Sequence, residues 1–465
     1  MRKTKIYEKV VDEAEKKSKD EIKFLMSERL KAKGFILKGG VFDFYYPGYP
    51  YLKKYEQEDD VNIREDRLGA YIDIPFCSRR CTFCGFSVFE DIKKKEDYIR
   101  ALTDEFKFYR DKDIKINHLS IGGGTPSMLS TDELTRIVSA FRKNFKIIDN
   151  RNLRIEIHPE IAKRRGPEIF LKGLALSGFT SISIGGQTFD NKLLRSLNRG
   201  HDSEDIMKTV KTAKKYFKRV NLDILYGTEG QSVESWKDTL IKTLYLEPDE
   251  VCCYRLVPNN ERYKIDNEYD LTLKTLICIN TFIKAGWTQF GNMGSEIVFR
   301  REKQEKRFET WLGLKQIGFG TKSLTITRNF QGLNPTTIDE YREKIRKNRI
   351  GFKFYRKRTS TDNLIYSLTS NIMMTARIDR KFYIRNFGVD VYTQYPKIIS
   401  ELKSLGLCRE HGNQIVLTKM GVIHISKILA RFIPEDYKTK HIEFLKNKKS
   451  DYEEYKNCSV MDYDF

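Results

Sequence analysis

Three thiols set the chemistry. In the run Tyr71-Ile-Asp-Ile-Pro75-Phe-Cys77-Ser-Arg-Arg-Cys81-Thr-Phe-Cys84-Gly85-Phe86 the cysteines follow a C-x3-C-x2-C spacing. A structural zinc normally takes four protein ligands, and the next cysteines, Cys252 and Cys253, lie far along the chain. Cysteine thiolates also hold four-iron four-sulfur (4Fe-4S) clusters. With only three thiolates, one iron stays open. The amino and carboxylate groups of S-adenosylmethionine (SAM) can chelate that iron, and an electron from the cluster then splits the sulfonium to give a 5′-deoxyadenosyl radical. A zinc loop or three unrelated cysteines are the competing readings. Cys252, Cys253, Cys278, Cys408 and Cys458 read as core or surface residues.

A second element follows at Ile121-Gly122-Gly123-Gly124-Thr125-Pro126. Glycines let the backbone approach a ligand closely, and their free N–H groups can grip a carboxylate.

These segments need a scaffold, and the periodicity supplies one. Short β-rich runs recur at 69–74, 117–121, 152–157, 181–185, 219–226 and 250–256, with helical stretches between them. In 130–144, Ser130 or Thr131 can cap a helix whose Leu134, Ile137, Val138 and Phe141 share one face. Strands alternating with helices imply parallel strands and right-handed crossovers. Six such units predict an α/β fold, a partial (β/α)6 barrel. Ligands sit at the C-terminal ends of barrel strands, and each motif falls just after one of these runs.

The barrel and its extension are expected over 67–335. Ahead of it, 1–66 reads as a charged helical segment and then an aromatic stretch at 42–50, which is either packing or a lid. Residues 336–433 read as short helices and a hairpin turning at His411-Gly412-Asn413, a winged-helix-like domain. It is expected to pack as an appendage rather than to bind nucleic acid. A charged tail, 434–465, closes the chain.

Composition narrows the class. The charge is 85 basic minus 64 acidic residues, or +21, but the basic residues are mixed with acidic ones, which favours a solvated surface over a specific anionic partner. Only short runs such as 353–358 are locally unbalanced. No run of about 18 apolar residues occurs, so no transmembrane helix is expected. The N-terminus lacks the apolar stretch of a signal peptide. A cytoplasmic location follows as the expectation, with reduced thiols. An aromatic content of 12% argues against disorder.

The segments YIDIPFCSRRCTFCGF, SIGGGTPS, LRIEIHP, SISIGGQTFD, LNRGH, VNLDILYGTEGQ and IGFGTKS resemble the coproporphyrinogen oxidase-like branch of the radical SAM enzymes. That branch includes the oxygen-independent oxidase, a heme chaperone, anaerobilin synthase and the class C methyltransferases. The C-terminal region resembles the family's helical appendage as far as IVLTKMG. The resemblance implies a 4Fe-4S cluster on Cys77, Cys81 and Cys84, with two SAM molecules side by side. The first would touch Tyr71, Gly123 and Glu156; the second would touch Phe83, Gly124, Thr125, Gln187, Arg199 and Asp223. Arg199 can pair bidentately with a carboxylate, while Gln187 and Asp223 offer acceptor oxygens. An ordinary structural reading stays open, in which Glu156 and Asp223 balance Arg154 and Arg199.

Three departures from the branch stand out. Phe86 occupies the place of a further cysteine of the oxidase. The oxidase's N-terminal substrate motif is not recognisable in 1–66. The chaperone's His-Asn pair has no counterpart in Lys306-Arg307-Phe308-Glu309-Thr310 ahead of Trp311. The CTFCGF run and Gly286-Trp287 are similar to anaerobilin synthase.

The sequence therefore predicts an oxygen-sensitive enzyme applying a SAM-derived radical to a small organic substrate, anionic or of tetrapyrrole type. Methyl transfer, or a carbon–carbon bond-forming or ring-opening variant, is the first expectation. Porphyrinogen decarboxylation is second, and a heme chaperone is the non-enzyme reading. A reducing partner such as flavodoxin or ferredoxin is implied. The sequence assigns no catalytic acid or base.

Overall fold

Each β-rich run forms a strand where it is expected: β1 (Leu68–Ile74), β2 (Lys115–Gly123), β3 (Leu153–Ile157), β4 (Ser181–Gln187), β5 (Arg219–Tyr226) and β6 (Glu250–Arg255). Further strands follow at β7 (Thr288–Asn292), β8 (Glu296–Arg300), β9 (Gln316–Phe319), β10 (Leu324–Ile326), β11 (Phe330–Leu333) and β12 (Phe354–Lys357). The structure is a computed structural model describing residues 2–27, 30, 33, 52–56, 61–63, 65, 67–86, 88–148, 153–256, 266–292, 296–301 and 315–446. The aromatic stretch at 42–50, the segment 306–311 and Cys458 lie outside the described residues.

Two compact units are present: Tyr51–Asp223 with Leu314–Thr359, and Met1–Pro50 with Ile224–Gly313 and Ser360–Phe465. In the first, β1, β2, β3 and β4 pair in parallel in chain order. Nearly every residue of β1 is buried, as a parallel strand covered on both faces requires. Helix Thr131–Asn144 starts where its capping signal lies. Ser130 and Glu133 form a capping box, satisfying two of the helix's orphan donors. Its Leu134, Ile137, Val138 and Phe141 are buried.

The sheet extends beyond the six expected strands. β9 pairs in parallel with β1, placing Phe319 opposite Ile72. β10, β11 and β12 then add antiparallel, and Lys53–Lys54 pairs with β12. The basic run 353–358 thus lies largely in a sheet strand, although 336–433 reads as a helical and winged segment. Four-residue strands are too short for a periodic signal, and β9 finds its partner from a distant part of the chain. Behind the sheet, Phe106 meets Phe319 edge-on at 4.9 Å. Nearby, buried Glu105 accepts from Tyr341 Oη at 2.6 Å and Gly351 N at 2.8 Å.

In the second unit β8 pairs antiparallel with both β6 and β7. The charged N-terminal segment is the helix Arg2–Leu25. It is tied to two neighbouring helices by Lys237–Glu15 at 2.6 Å and by Asn280 Nδ2 donating to Ser18 Oγ at 2.9 Å. Its C-terminal part runs through helix Ser360–Thr375, strand β13 (Arg377–Asp379), helices Arg380–Phe387 and Pro396–Ser404, then β14 (Cys408–His411) and β15 (Gln414–Leu417). The three strands order as β13-β15-β14. This is the expected winged-helix-like arrangement, and its hairpin turns at Gly412, φ +58°. No helix among the described residues is long and apolar enough to cross a membrane.

Candidate active site

The thiol loop leaves the C-terminal end of β1 and is fixed at both flanks. Phe76 is fully buried. Cys77 N donates to Phe89 O at 3.0 Å while Phe89 N donates to Pro75 O at 2.8 Å. Cys84 N donates to Cys81 O at 3.2 Å, closing a tight turn over the last two thiols. Asn198 Nδ2 donates to Arg80 O at 2.8 Å and Thr82 N to Leu197 O at 3.3 Å, joining the loop to the segment after β4. Glu160, almost fully buried, accepts from Arg79 Nη2 at 2.8 Å and Ser78 Oγ at 3.3 Å. Sequence reasoning missed Glu160, which carries no motif of its own.

Close approach explains the glycine turn. Gly123 has φ +106°, and a Cβ there would fall 2.0 Å from Asp73 Oδ1. A Cβ on Gly124 would lie 2.8 Å from Pro75 C. At Gly122 a Cβ would come within 2.7 Å of both Glu156 Oε2 and Tyr71 Oη. Three side chains therefore stand directly against the turn, and only glycine leaves them room.

All three thiols line one cleft of about 780 Å³ including its mouth, a size suited to a cofactor-sized ligand. Gly123, Gly124, Thr125 and Phe83 line it too, as do Glu156, Gln187 and Asp223 on the neighbouring strands and Arg199 in the segment after helix Asn191–Ser196. Of the residues expected at the site, Tyr71 alone is not part of this wall; its hydroxyl stands over Gly122 with Glu156. Gln187 holds φ +71°, backbone strain of the kind that gathers at functional sites.

Asp223 accepts from Ser183 Oγ at 2.9 Å and from Asn221 Nδ2 at 2.6 Å. Alternation along β4 and β5 could have flagged Ser183 and Asn221, since residues two apart share a face. His158 also lines the cleft and stacks edge-on with His201 at 4.9 Å. Burial, then the Arg199 charge, pushes both imidazoles down, His201 to about 3. Both rings are therefore neutral at pH 7. Arg199 donates to Cys81 Sγ at 3.2 Å and to Gly185 O, and its buried Nε has no protein partner.

The three thiols open onto one cleft, as the ligands of a cluster would. No group of three or more ligating side chains among the described residues converges as a single metal would need. A cluster instead asks each thiolate for a different iron. Burial raises Cys77 to about 12 and also raises Cys84, so thiolates here need an adjacent cation, which iron provides.

Comparison with known proteins identifies the domain that carries this cleft. Residues 71–242 match the Radical SAM superfamily. The chain is 24% identical over 437 residues to an oxygen-independent coproporphyrinogen III oxidase of Synechocystis sp., covering 83% of this chain and 91% of the relative. It is 21% identical over 395 residues to the heme chaperone HemW of Bacillus subtilis, covering 79% and 99%. The solved coproporphyrinogen III oxidase HemN of Escherichia coli superposes with a TM-score of 0.71 at 19% identity, covering 85% of this chain and all of that one. The fold is the α/β radical SAM fold, and the cofactors of that superfamily are a 4Fe-4S cluster and SAM. Residues 71–242 are thus a Radical SAM domain, and over most of its length the chain is similar to proteins named as coproporphyrinogen III oxidase and as HemW.

Proposed function

We propose that Cys77, Cys81 and Cys84 hold the 4Fe-4S cluster and that two SAM molecules occupy the cleft beside it. The reaction is methyl transfer, or a related carbon–carbon bond-forming or ring-opening step, on a small organic substrate of anionic or tetrapyrrole character. The observation that carries this reading is the meeting of three thiols, the glycine turn and Glu156, Gln187, Arg199 and Asp223 on one cleft. When bound, the cluster supplies one electron that cleaves SAM into methionine and a 5′-deoxyadenosyl radical.

The chain's own residues bind and orient. The Gly123 backbone would meet the amino-acid end of the first SAM, with Glu156 as acceptor for its ammonium, while Gly124 and Thr125 would face the second. Arg199 offers a planar cation to the carboxylate of the second, and Gln187 and Asp223 accept from its amino or hydroxyl groups. Ser183 and Asn221 fix the Asp223 carboxylate, so it is oriented before a ligand arrives. Phe83 helps keep water from the cleft. An electron carrier such as flavodoxin or ferredoxin is the proposed reductant, and the cytoplasm the proposed location. The linear organisation proposed is an N-terminal extension to 66, the barrel region to 335, the winged region to 433 and a tail.

Likeness over most of the chain to proteins named as an oxidase and as HemW supports a second reading, decarboxylation of porphyrinogen propionates or heme carriage. Anaerobic reconstitution followed by analysis of SAM products separates these. 5′-Deoxyadenosine together with S-adenosylhomocysteine supports methyl transfer, and carbon dioxide from coproporphyrinogen supports decarboxylation. Heme binding with only background 5′-deoxyadenosine would leave a carrier.

A further inference from the structure

Next to the thiol loop, the segment Gly320-Thr321-Lys322 leaves β9 in a conformation few sequences adopt. Gly320 has φ +90° and Lys322 φ +56°. A non-glycine residue there is strained, and such strain persists only when its surroundings over-determine it. They do so here. Tyr98 Oη accepts from Thr321 N at 3.1 Å and itself donates to Asp73 O at 2.7 Å. Thr321 Oγ1 donates to Asp73 Oδ2 at 2.6 Å. Lys322 N donates to Pro335 O at 2.6 Å. A Cβ on Gly320 would meet Tyr98 Oη at 2.2 Å, so the turn is locked against the end of β1.

The lock aims one side chain. Lys322 Nζ donates to Gly85 O at 3.0 Å, directly after the third thiol, and lies 5.8 Å from the centroid of the Phe86 ring. Its charge acts on both Cys84 and Asp73. Of the other cations near the thiols, Arg199 bonds Cys81, and exposed Arg80 donates to Cys84 O at 3.2 Å. Like Arg199, Lys322 reaches the loop from outside it, but it alone of the three does so from a strained backbone, next to strand β9. None of this belongs to the residues assigned to SAM.

We infer that Lys322 is a positioning residue for the cluster loop: its ammonium fixes the backbone after Cys84 and raises the reduction potential of the cluster bound there. This rests on the assignment of Cys77, Cys81 and Cys84 as its ligands. Cluster potentials respond to net charge and to solvent exposure. A fixed cation at the partly buried edge of the loop stabilises the more negative, reduced state, and it is screened less than a surface charge would be.

The test uses the full-length chain, reconstituted anaerobically without SAM, and an EPR-monitored redox titration. Lys322→Met should bind iron and sulfide as wild type does but titrate at a more negative potential, whereas Lys322→Arg should keep the wild-type value. If Lys322→Met instead loses iron while Lys322→Arg retains it, the positioning role is supported. An unchanged potential in a fully loaded Lys322→Met protein overturns the inference, as does equal iron loss in both variants with the fold intact by circular dichroism. Failure of the underlying assignment looks different: a Cys77→Ala protein would hold the cluster as wild type does.

Discussion

Arg199 Nη1 and Cys81 Sγ lie 3.2 Å apart although 118 residues separate them in the chain. The guanidinium suited to a SAM carboxylate therefore also donates to a candidate cluster thiol, while Gly185 O holds its other nitrogen. On the proposed reading, carboxylate binding by Arg199 would be coupled to the thiol loop through this one side chain.

Arg199→Ala should spare uncoupled 5′-deoxyadenosine formation while lowering the second co-product by roughly 10–100-fold, the loss of a hydrogen bond to a charged group worth about 1.5–3 kcal/mol. Mass spectrometry of both products from one anaerobic reaction reads this directly. A loss of both products in equal proportion would make Arg199 a support for Cys81 alone.

Replacement of Cys77, Cys81 or Cys84 by Ala should each abolish iron–sulfur absorbance or leave a cluster that cannot cleave SAM, because an iron loses its thiolate. Cys458→Ala should behave as wild type. Full activity in any one of the three variants would refute the ligand set.

Gly123→Ala should abolish SAM binding and lower the thermal midpoint, since φ +106° and the Asp73 oxygen 2.0 Å from the new Cβ both oppose it. The backbone conformation alone costs about 1–3 kcal/mol. Gly166→Ala is the control: φ is +75° with nothing within 4 Å of its Cβ, so some stability is lost and SAM affinity is kept. Calorimetric titration with SAM separates the two.

Stability should fall as pH rises toward neutrality because of Glu105. Burial pushes its carboxyl up to about 7 from an ordinary 4.5, so the folded state holds a proton that the unfolded state has released. That contribution is full below the unfolded value and is lost as pH rises through about 7. Glu105→Gln keeps an acceptor for Tyr341 but gives up a second oxygen, so it should be less stable at low pH. The gap to wild type should narrow between about pH 5 and about pH 8. Parallel melting curves at the two pH values would refute the assignment.

The sequence by itself determined what is local. The C-x3-C-x2-C spacing places three thiols on one loop, the glycines mark a turn that others would crowd, and the β-rich runs place all six strands, because each signal lies within a few residues of chain. Alternation says which residues share a face. It does not say what they face. Only the tertiary structure decided that Tyr71 stands over Gly122 rather than in the cleft wall, that Ser183 and Asn221 hold Asp223, and that Glu160 anchors Ser78 and Arg79. It also decided that β9 closes onto β1 and carries Lys322 to Gly85 O. Apart from Asn221 and Asp223, two apart on one strand face, those contacts join residues more than 30 positions apart, where side-chain convergence is set by strand register and packing.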